Sequence, residues 1–209
     1  MSGKSTAKPV IGILGGVGAG KSTVAAELAA LGCTLVDGDA IGHELLAEPA
    51  VREQLRQRWG GGIFTAAGEV DREALGKIVF NDPVELTALN SIMHPLIGRR
   101  IEQQIARAQA DESVAAVVMD AAVMLEAGWD EFCTHLVFVD APQSERLSRK
   151  EGAMGLEKTS WKKCEEFQIP LDKKAGICDY IIDNSSSVSC LRDQVRELFR
   201  KIVHTADRP

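Results

Sequence analysis

The sequence predicts an α/β fold built on a doubly wound, parallel sheet of five strands. Short apolar runs alternate with stretches in which apolar residues recur at helical spacing, which is the pattern of successive strand–helix units. Several of these runs are continuously apolar, as expected for strands that helices cover on both faces. The predicted strands are residues 10–14, 34–36, 114–119, 136–139 and 180–182.

The first predicted strand leads into a glycine-rich loop, Gly15-Gly16-Val17-Gly18-Ala19-Gly20-Lys21-Ser22-Thr23. This stretch fits the phosphate-binding loop pattern Gly-x4-Gly-Lys-Ser/Thr, and the residues after it have the spacing of a buried helix face. Glycines let backbone N–H groups turn inward around a phosphate, and the helix N-terminus adds partial positive charge. The loop therefore predicts the P-loop NTPase fold and a bound nucleoside triphosphate.

Two side chains of this loop are predicted to act on the triphosphate. Lys21 can reach the β- and γ-phosphates, and the Ser22 hydroxyl is placed to ligate Mg²⁺.

Acidic residues follow two further strands, where parallel sheets bind their ligands. Asp37 and Asp39 end the second strand, which we expect to adjoin the phosphate loop. Either carboxylate could accept a proton from an attacking hydroxyl, hold Mg²⁺ through water, or cap the next helix, and the residues alone leave these roles open. Asp120 follows the third strand and is a candidate magnesium ligand.

The strand–helix rhythm divides the chain into a nucleotide-binding core and two additional segments. The core comprises residues 9–40, 111–143 and 175–209, and it ends in an amphipathic helix from Val188 to Ile202. Residues 41–110 are mostly helical in pattern, with breaks at Gly60-Gly61-Gly62, Pro83 and Pro95, and form the predicted substrate-binding segment. Residues 144–174 are a mobile lid or a solvated pair of helices. The cations of this segment that could act on phosphate are Arg146, Arg149, Lys158, Lys162 and Lys163.

Composition excludes several classes of protein. A net charge of −6 disfavours broad nucleic-acid binding, and no apolar run is long enough to span a membrane. The five cysteines are scattered, without metal-ligand spacing, which indicates reduced thiols of the cytoplasm. Residues 1–8 are polar, lack the apolar segment of a signal peptide and are predicted to be a disordered tail.

Motifs that the sequence lacks exclude two classes of phosphate-loop protein. The chain lacks the Asn/Thr-Lys-x-Asp motif of guanine-specific switches and the Leu-Ser-Gly-Gly-Gln motif of transporter ATPases. Small-molecule kinases remain, and from residue 10 to about residue 187 the chain closely resembles the dephospho-coenzyme A kinase family. Beyond the loop, the resemblance lies in Val36-Asp37-Gly38-Asp39, Asp71-Arg72-Glu73-Ala74-Leu75, His94-Pro95-Leu96-Ile97, the segment from Asp120 to Trp129, Gln168, Lys174 and the segment from Cys178 to Asn184.

The resemblance implies transfer of the γ-phosphoryl group of ATP, with Mg²⁺, to the ribose 3′-hydroxyl of dephospho-coenzyme A. It implies that Asp39 is the base and that Lys21 and Arg149 act on the transferring phosphate. Asn184 would lie near the adenine of ATP. The substrate contacts that it implies, in addition to Asp39, are Arg72, His94, Pro95, Leu125 and Glu126. The expected assembly is a monomer or a small homo-oligomer, acting in the cytoplasm.

The sequence departs from the family pattern in the predicted lid. Ala153 and Met154 occupy the stretch where a second lid arginine is typical, and Cys164 stands where many members place another. Lysine offers charge without the bidentate fork of arginine, so lid closure could depend on Lys158, Lys162 or Lys163. Two other functions stay open on the residues alone: a nucleoside or nucleoside monophosphate kinase, and a non-catalytic nucleotide-binding regulator.

Overall fold

The computed structural model describes residues 7–153 and 168–206, which fall into two compact units. The first unit contains the chain up to Asp37 and from Gln103 onward, and the second unit is Gly38–Glu102. Most of the predicted disordered tail lies outside the described residues. Lys8, at its end, is held in place: its backbone N–H donates to Gln109 Oε1 at 2.8 Å.

All five predicted strands are confirmed, and they form a single parallel sheet in the first unit. Its order is β2-β3-β1-β4-β5, so the sheet grows outward in both directions from β1, as in doubly wound folds. The strands are β1 (Val10–Leu14), β2 (Cys33–Asp37), β3 (Ala116–Asp120), β4 (His135–Asp140) and β5 (Tyr180–Asp183).

Helices alternate with these strands along the described part of the chain. In chain order they are α1 (Lys21–Ala30), α2 (Gly38–Leu46), α3 (Pro49–Trp59), α4 (Arg72–Val79), α5 (Pro83–Ala110), α6 (Gln143–Ala153), α7 (Leu171–Gly176) and α8 (Val188–Ala206). The C-terminal amphipathic helix is thus confirmed as α8. The buried residues of α8 are Leu191, Val195, Leu198 and Ile202. They share the core of the first unit with Val24 and Leu28 of α1.

β3 lies between β1 and β2 in the sheet. The acidic residue next to the end of β1 is therefore the one that ends β3. In the parallel register, Asp120 is paired with Ile13 on one side and with Asp37 on the other. Asp120, and not Asp37, therefore ends the strand next to β1.

The second unit contains α2, α3, α4 and the first part of α5. Its helices end or begin at some, but not all, of the breaks predicted from glycine and proline. The chain turns at the triple glycine after α3, and Pro83 is the first residue of α5. The predicted break at Pro95 is wrong, because α5 continues through it. Met93, Ile97 and Ile101 form a buried stripe at helical spacing on both sides of this proline, and tertiary burial of that stripe offsets its local cost.

Among the described residues, no helix combines the length and the apolar composition needed to span a membrane. The 28-residue helix α5 is long enough but carries Glu85 near its start and Arg99, Arg100, Glu102 and Arg107 in its second half.

Several cysteines have free thiols in environments that suppress ionisation. Cys33 is buried, and burial raises its pKa to about 12. Burial, with the neighbouring Asp130 carboxylate, also raises the pKa of Cys133 to about 12. Cys190 has a free and exposed thiol.

We expect a thiol reagent at about pH 8 to modify Cys190 in the native protein and to leave Cys33 and Cys133 unmodified, because the thiolate is the reactive form. Mass spectrometry of peptides from the treated protein measures each site. Unfolding the protein first should expose all three thiols, which is the control. Native-state modification of Cys33 at the rate of Cys190 would contradict this expectation.

Candidate active site

The predicted phosphate loop joins β1 to α1 in the structure. Gly20 precedes α1 with a left-handed backbone (φ 97°), and its carbonyl accepts hydrogen bonds from the N–H groups of Thr23 and Val24. The Ala19 N–H donates to the Gly16 carbonyl at 3.1 Å, which closes the loop into a compact turn. The loop thus leads into the N-terminus of a ten-residue helix, where backbone N–H groups are available to an anion.

At two positions of the loop, a neighbouring backbone carbonyl lies so close that only glycine fits. Gly18 has φ +78°, and a Cβ there would lie 2.5 Å from the Arg146 carbonyl oxygen. A Cβ on Gly15 would lie 2.6 Å from the Val139 carbonyl oxygen. Any side chain at either position would displace α6 or β4, so the glycines allow the loop to sit against both elements.

Lys21 is the first residue of α1, and its side chain turns back over the loop. Its Nζ donates to the carbonyls of Gly15 at 3.0 Å and Gly16 at 3.3 Å. The ammonium is therefore held beside the loop, where a bound phosphate would attract it. Ser22 and Thr23 follow on the same turn and are exposed.

Helix α6 places two arginines on this loop. Arg146 Nη1 donates to the Val17 carbonyl at 3.4 Å, and Arg149 Nη1 donates to the Ala19 carbonyl at the same distance. The two residues are three positions apart, so they share one face of the helix. Arg149 Nη2 also pairs with Glu145 at 2.7 Å, which orients its guanidinium group.

Asn184, directly after β5, ties the loop to the end of the sheet. Its buried side chain donates from Nδ2 to the Ala19 carbonyl at 2.7 Å, and its own carbonyl accepts from Arg149 Nη2 at 2.8 Å. Its backbone N–H donates to the Asp140 carbonyl. Three sequence-predicted residues of the nucleotide site, Lys21, Arg149 and Asn184, thus meet at one loop.

A magnesium ion bound with a triphosphate needs few protein ligands. Mg²⁺ keeps several waters and takes phosphate oxygens with one or two protein oxygens. Ser22, on the first turn of α1, and Asp120, at the end of the strand beside β1, offer a hydroxyl and a carboxylate of the required type. No cluster of three acidic, histidine or cysteine ligands occurs in the part of the chain that the structure describes. The donor set fits an ion held mainly by nucleotide phosphates.

Four of the predicted acceptor-side residues, Asp39, Arg72, His94 and Pro95, lie in the second unit. Asp39 is exposed in the first turn of α2. Arg72 begins α4, whose N-terminus is capped by Asp71 through bonds from the N–H groups of Glu73 and Ala74. His94 is half-buried in α5 and Pro95 beside it is exposed.

A cavity of about 300 Å³ opens within this unit. Its polar wall includes His43, Arg52, Glu69 and Arg72, and its apolar wall is Leu46, Ala47 and Val70. The lining brings Arg72 together with His43 and Arg52, which were not singled out from the sequence. Within the described second unit, His94 and Pro95 lie outside the cavity wall.

Leu125 and Glu126 belong to the turn after β3, in the first unit. Glu126 Oε1 accepts from the Ile169 N–H at 2.7 Å and pairs with Lys174 Nζ at 3.0 Å. Lys174 is 1 % exposed and also donates to Gln168 Oε1 at 3.2 Å. These contacts join the turn after β3 to α7, and a substrate contact of Glu126 stays a prediction.

We expect Lys174→Met to lower the free energy of unfolding by about 3–5 kcal/mol, because it leaves the largely buried Glu126 carboxylate, whose side chain is 16% exposed, without its cation. The double variant Lys174→Met/Glu126→Gln should recover part of this loss. Urea unfolding of both variants measures the effect. A single variant within about 1 kcal/mol of the parent protein would rule out this account of the pair.

Arg146 and Arg149 are the predicted lid cations that the described residues include. Met154, Lys158, Lys162, Lys163 and Cys164 lie outside the described residues. Arg146 appeared in the sequence only as one member of a charged run. Its spacing from Arg149 is the signal that could have singled it out, since positions three apart on a helix share a face.

Comparison with known proteins points in the same direction. Residues 9–189 match the sequence profile of the family described as dephospho-CoA kinase. The dephospho-CoA kinase of Carboxydothermus hydrogenoformans is 32% identical over 195 residues, which cover 92% of this chain and 94% of that protein.

Solved structures share the fold. A crystal structure from Thermus thermophilus superimposes with a TM-score of 0.79 at 28% identity, covering 94% of this chain and 98% of that one. The dephospho-CoA kinase of Campylobacter jejuni gives a TM-score of 0.69 at 24% identity, with 94% and 98% covered. The phosphate loop, the five-stranded parallel sheet and a profile match over most of the chain agree: the chain belongs to the dephospho-CoA kinase family.

Proposed function

We propose that this protein is a dephospho-CoA kinase, which converts ATP and dephospho-coenzyme A to ADP and coenzyme A in the cytoplasm, the final step of coenzyme A synthesis. The observation that carries the proposal is the phosphate loop with Lys21, Arg146 and Arg149 around it, in a chain of this family. We assign it small-molecule partners without nucleic acid, and a monomeric or small homo-oligomeric state.

The donor side of the reaction rests on the first unit. Backbone N–H groups from Gly16 to Thr23 hold the phosphates of ATP, and Lys21 exchanges the carbonyls of Gly15 and Gly16 for the β- and γ-phosphates. Arg149 compensates the charge on the transferring group, supported by Arg146. Asn184 orders the loop on the side assigned to adenine.

Ser22 and Asp120 would hold Mg²⁺ together with the phosphates of ATP, and the ion would neutralise part of the triphosphate charge. The remaining task of the protein is to hold the donor and acceptor in line and to keep water away from the γ-phosphate.

The acceptor side rests on the second unit. Asp39 accepts the proton of the ribose 3′-hydroxyl as that oxygen bonds to the γ-phosphorus and the bond to the ADP oxygen breaks. Arg72, His94 and Pro95 are assigned to holding dephospho-coenzyme A, together with Leu125 and Glu126 of the first unit. An exposed carboxylate suits a base that meets its substrate from solution.

An acceptor panel tests the proposal. The protein is incubated with ATP, Mg²⁺ and either dephospho-coenzyme A, adenosine or a nucleoside monophosphate, and ADP and phosphorylated products are measured by mass spectrometry. We expect coenzyme A and ADP in equal amounts with the first acceptor. Preference for adenosine or a monophosphate would assign another kinase activity, and ATP binding without turnover would assign a regulator.

A further inference from the structure

A cavity of about 260 Å³ lies beside the phosphate loop, within the first unit. Gly16 forms part of its wall, and a Cβ built on Gly16 would lie 2.9 Å from Arg146 Cζ and 3.0 Å from Leu171 Cδ1. Arg146 of α6 and Leu171 of α7 therefore stand directly against the loop. The volume falls below the range of about 300–1,000 Å³ that holds whole drug-sized ligands, so the cavity suits one ring system of a larger molecule.

The cavity lies on the face of the sheet away from α1 and α8. Val139 and Ile182 belong to the core that those two helices share with the sheet. Phe138 and Ile181, which precede them in β4 and β5, line the cavity, because successive side chains of a strand point to opposite faces. Asn184, assigned to the adenine of ATP, instead contacts the loop at a residue of that core. The cavity is therefore separate from the adenine side of the donor site.

The apolar walls of the cavity suit a flat ring. Leu171, Ala175 and Ile181 supply apolar surface, and Ile181 is 62% exposed although it is a large apolar residue. Arg146 adds a planar guanidinium group, on which nucleic-acid bases stack. A base bound here would cover Ile181 and stack on Arg146.

The acidic residues of the lining select among bases. Asp140 ends β4, and Asp172 lies on α7, which the buried pair of Lys174 with Glu126 holds in place. Carboxylates accept hydrogen bonds from an exocyclic amino group and repel a ring carbonyl oxygen. Adenine carries an amino group where guanine and hypoxanthine carry an oxygen. The cavity therefore suits adenine among the purine bases.

We propose that this cavity binds the adenine ring of the acceptor, dephospho-coenzyme A. The inference rests on the proposed function, in which two adenine rings take part, one in ATP and one in the acceptor. In-line transfer brings the attacking hydroxyl to the γ-phosphorus opposite the leaving ADP, so the two rings need separate places. Asn184 is assigned the ring of ATP, and the cavity beside Gly16 takes the other. Arg146 stacks on the acceptor ring, and Asp140 and Asp172 accept from its amino group.

The test exchanges the base of each substrate in turn. The acceptor arm compares dephospho-coenzyme A with the analogue in which hypoxanthine replaces adenine, and the donor arm compares ATP with inosine triphosphate. In the parent protein we expect the acceptor analogue to raise KM on the order of tenfold or more, because an oxygen replaces the amino donor. In the double variant Asp140→Asn/Asp172→Asn this difference should largely disappear, since an amide can donate to that oxygen. The ratio of the KM values for inosine triphosphate and ATP should be the same in both proteins.

Asp193→Asn is the matched control, because Asp193 is an exposed acid of α8 that lies outside the cavity wall. It should leave both ratios at the parent values. Equal KM values for the two acceptors in the parent protein would overturn the proposal, and this measurement needs no variant. A changed donor ratio in the double variant, with the acceptor ratio unchanged, would also overturn it and would assign the cavity to the base of ATP. Absence of turnover with both acceptors would refute the proposed function itself, whereas turnover that ignores the acceptor base refutes only this assignment.

Discussion

Lys21→Ala is expected to lower kcat for phosphoryl transfer on the order of 10³-fold or more, which corresponds to about 4 kcal/mol of transition-state stabilisation. The ammonium group is lost at the point where charge develops on the transferring phosphate. The fold should survive, since the bonds from the side chain to the carbonyls of Gly15 and Gly16 stay within the loop itself. Alanine also favours the helical conformation required at this position.

Steady-state kinetics with saturating ATP and dephospho-coenzyme A measure the effect, and circular dichroism monitors the fold. Lys77→Ala is the control: Lys77 is exposed and pairs with Glu73 on its own helix. It should retain the parent turnover. Near-normal turnover in Lys21→Ala would mean that this loop does not hold the reacting triphosphate.

Asp39→Asn is expected to abolish most transfer while ATP still binds. The substitution keeps the size of the side chain and removes its ability to take a proton from the 3′-hydroxyl. Asp39 lies inside the first turn of α2, where its charge also interacts favourably with the helix N-terminus. We therefore expect a stability loss of at most about 1 kcal/mol alongside the catalytic loss.

Calorimetric titration with ATP and turnover assays separate the two effects. Glu73→Gln provides a matched comparison, because Glu73 is likewise an exposed acid in the first turn of a helix of the second unit. Its turnover should be normal. If Asp39→Asn keeps its activity and Asp37→Asn loses it, the base is the acid at the end of β2.

The sequence located the strands well because their residues carry the information themselves. A run such as residues 10–14 is buried on both faces, so it is apolar throughout and visible without knowledge of its neighbours. The phosphate loop was equally local, since its glycines meet a backbone requirement at each position. Neither signal reports the order of strands, and the position of β3 between β1 and β2 had to come from the structure.

Other features depend on tertiary partners that no local pattern reports. Lysine is among the residues most often exposed, so a charged run around residue 174 suggests a surface helix. Its complete burial depends on the Glu126 carboxylate, 48 positions earlier in the chain. The continuation of α5 through Pro95 depends in the same way on the buried stripe of Met93, Ile97 and Ile101. Helix propensity alone predicts the opposite.

The boundary between the two units has a consequence for protein engineering. The chain enters the second unit across the single peptide bond between Asp37 and Gly38, and leaves it within α5, after Glu102. A recombinant fragment limited to residues 38–102 would lose the last two turns of that helix and gain an unpaired helix end. Chimeras that exchange acceptor specificity between relatives should therefore carry α5 whole and place their second junction in the loop before β3.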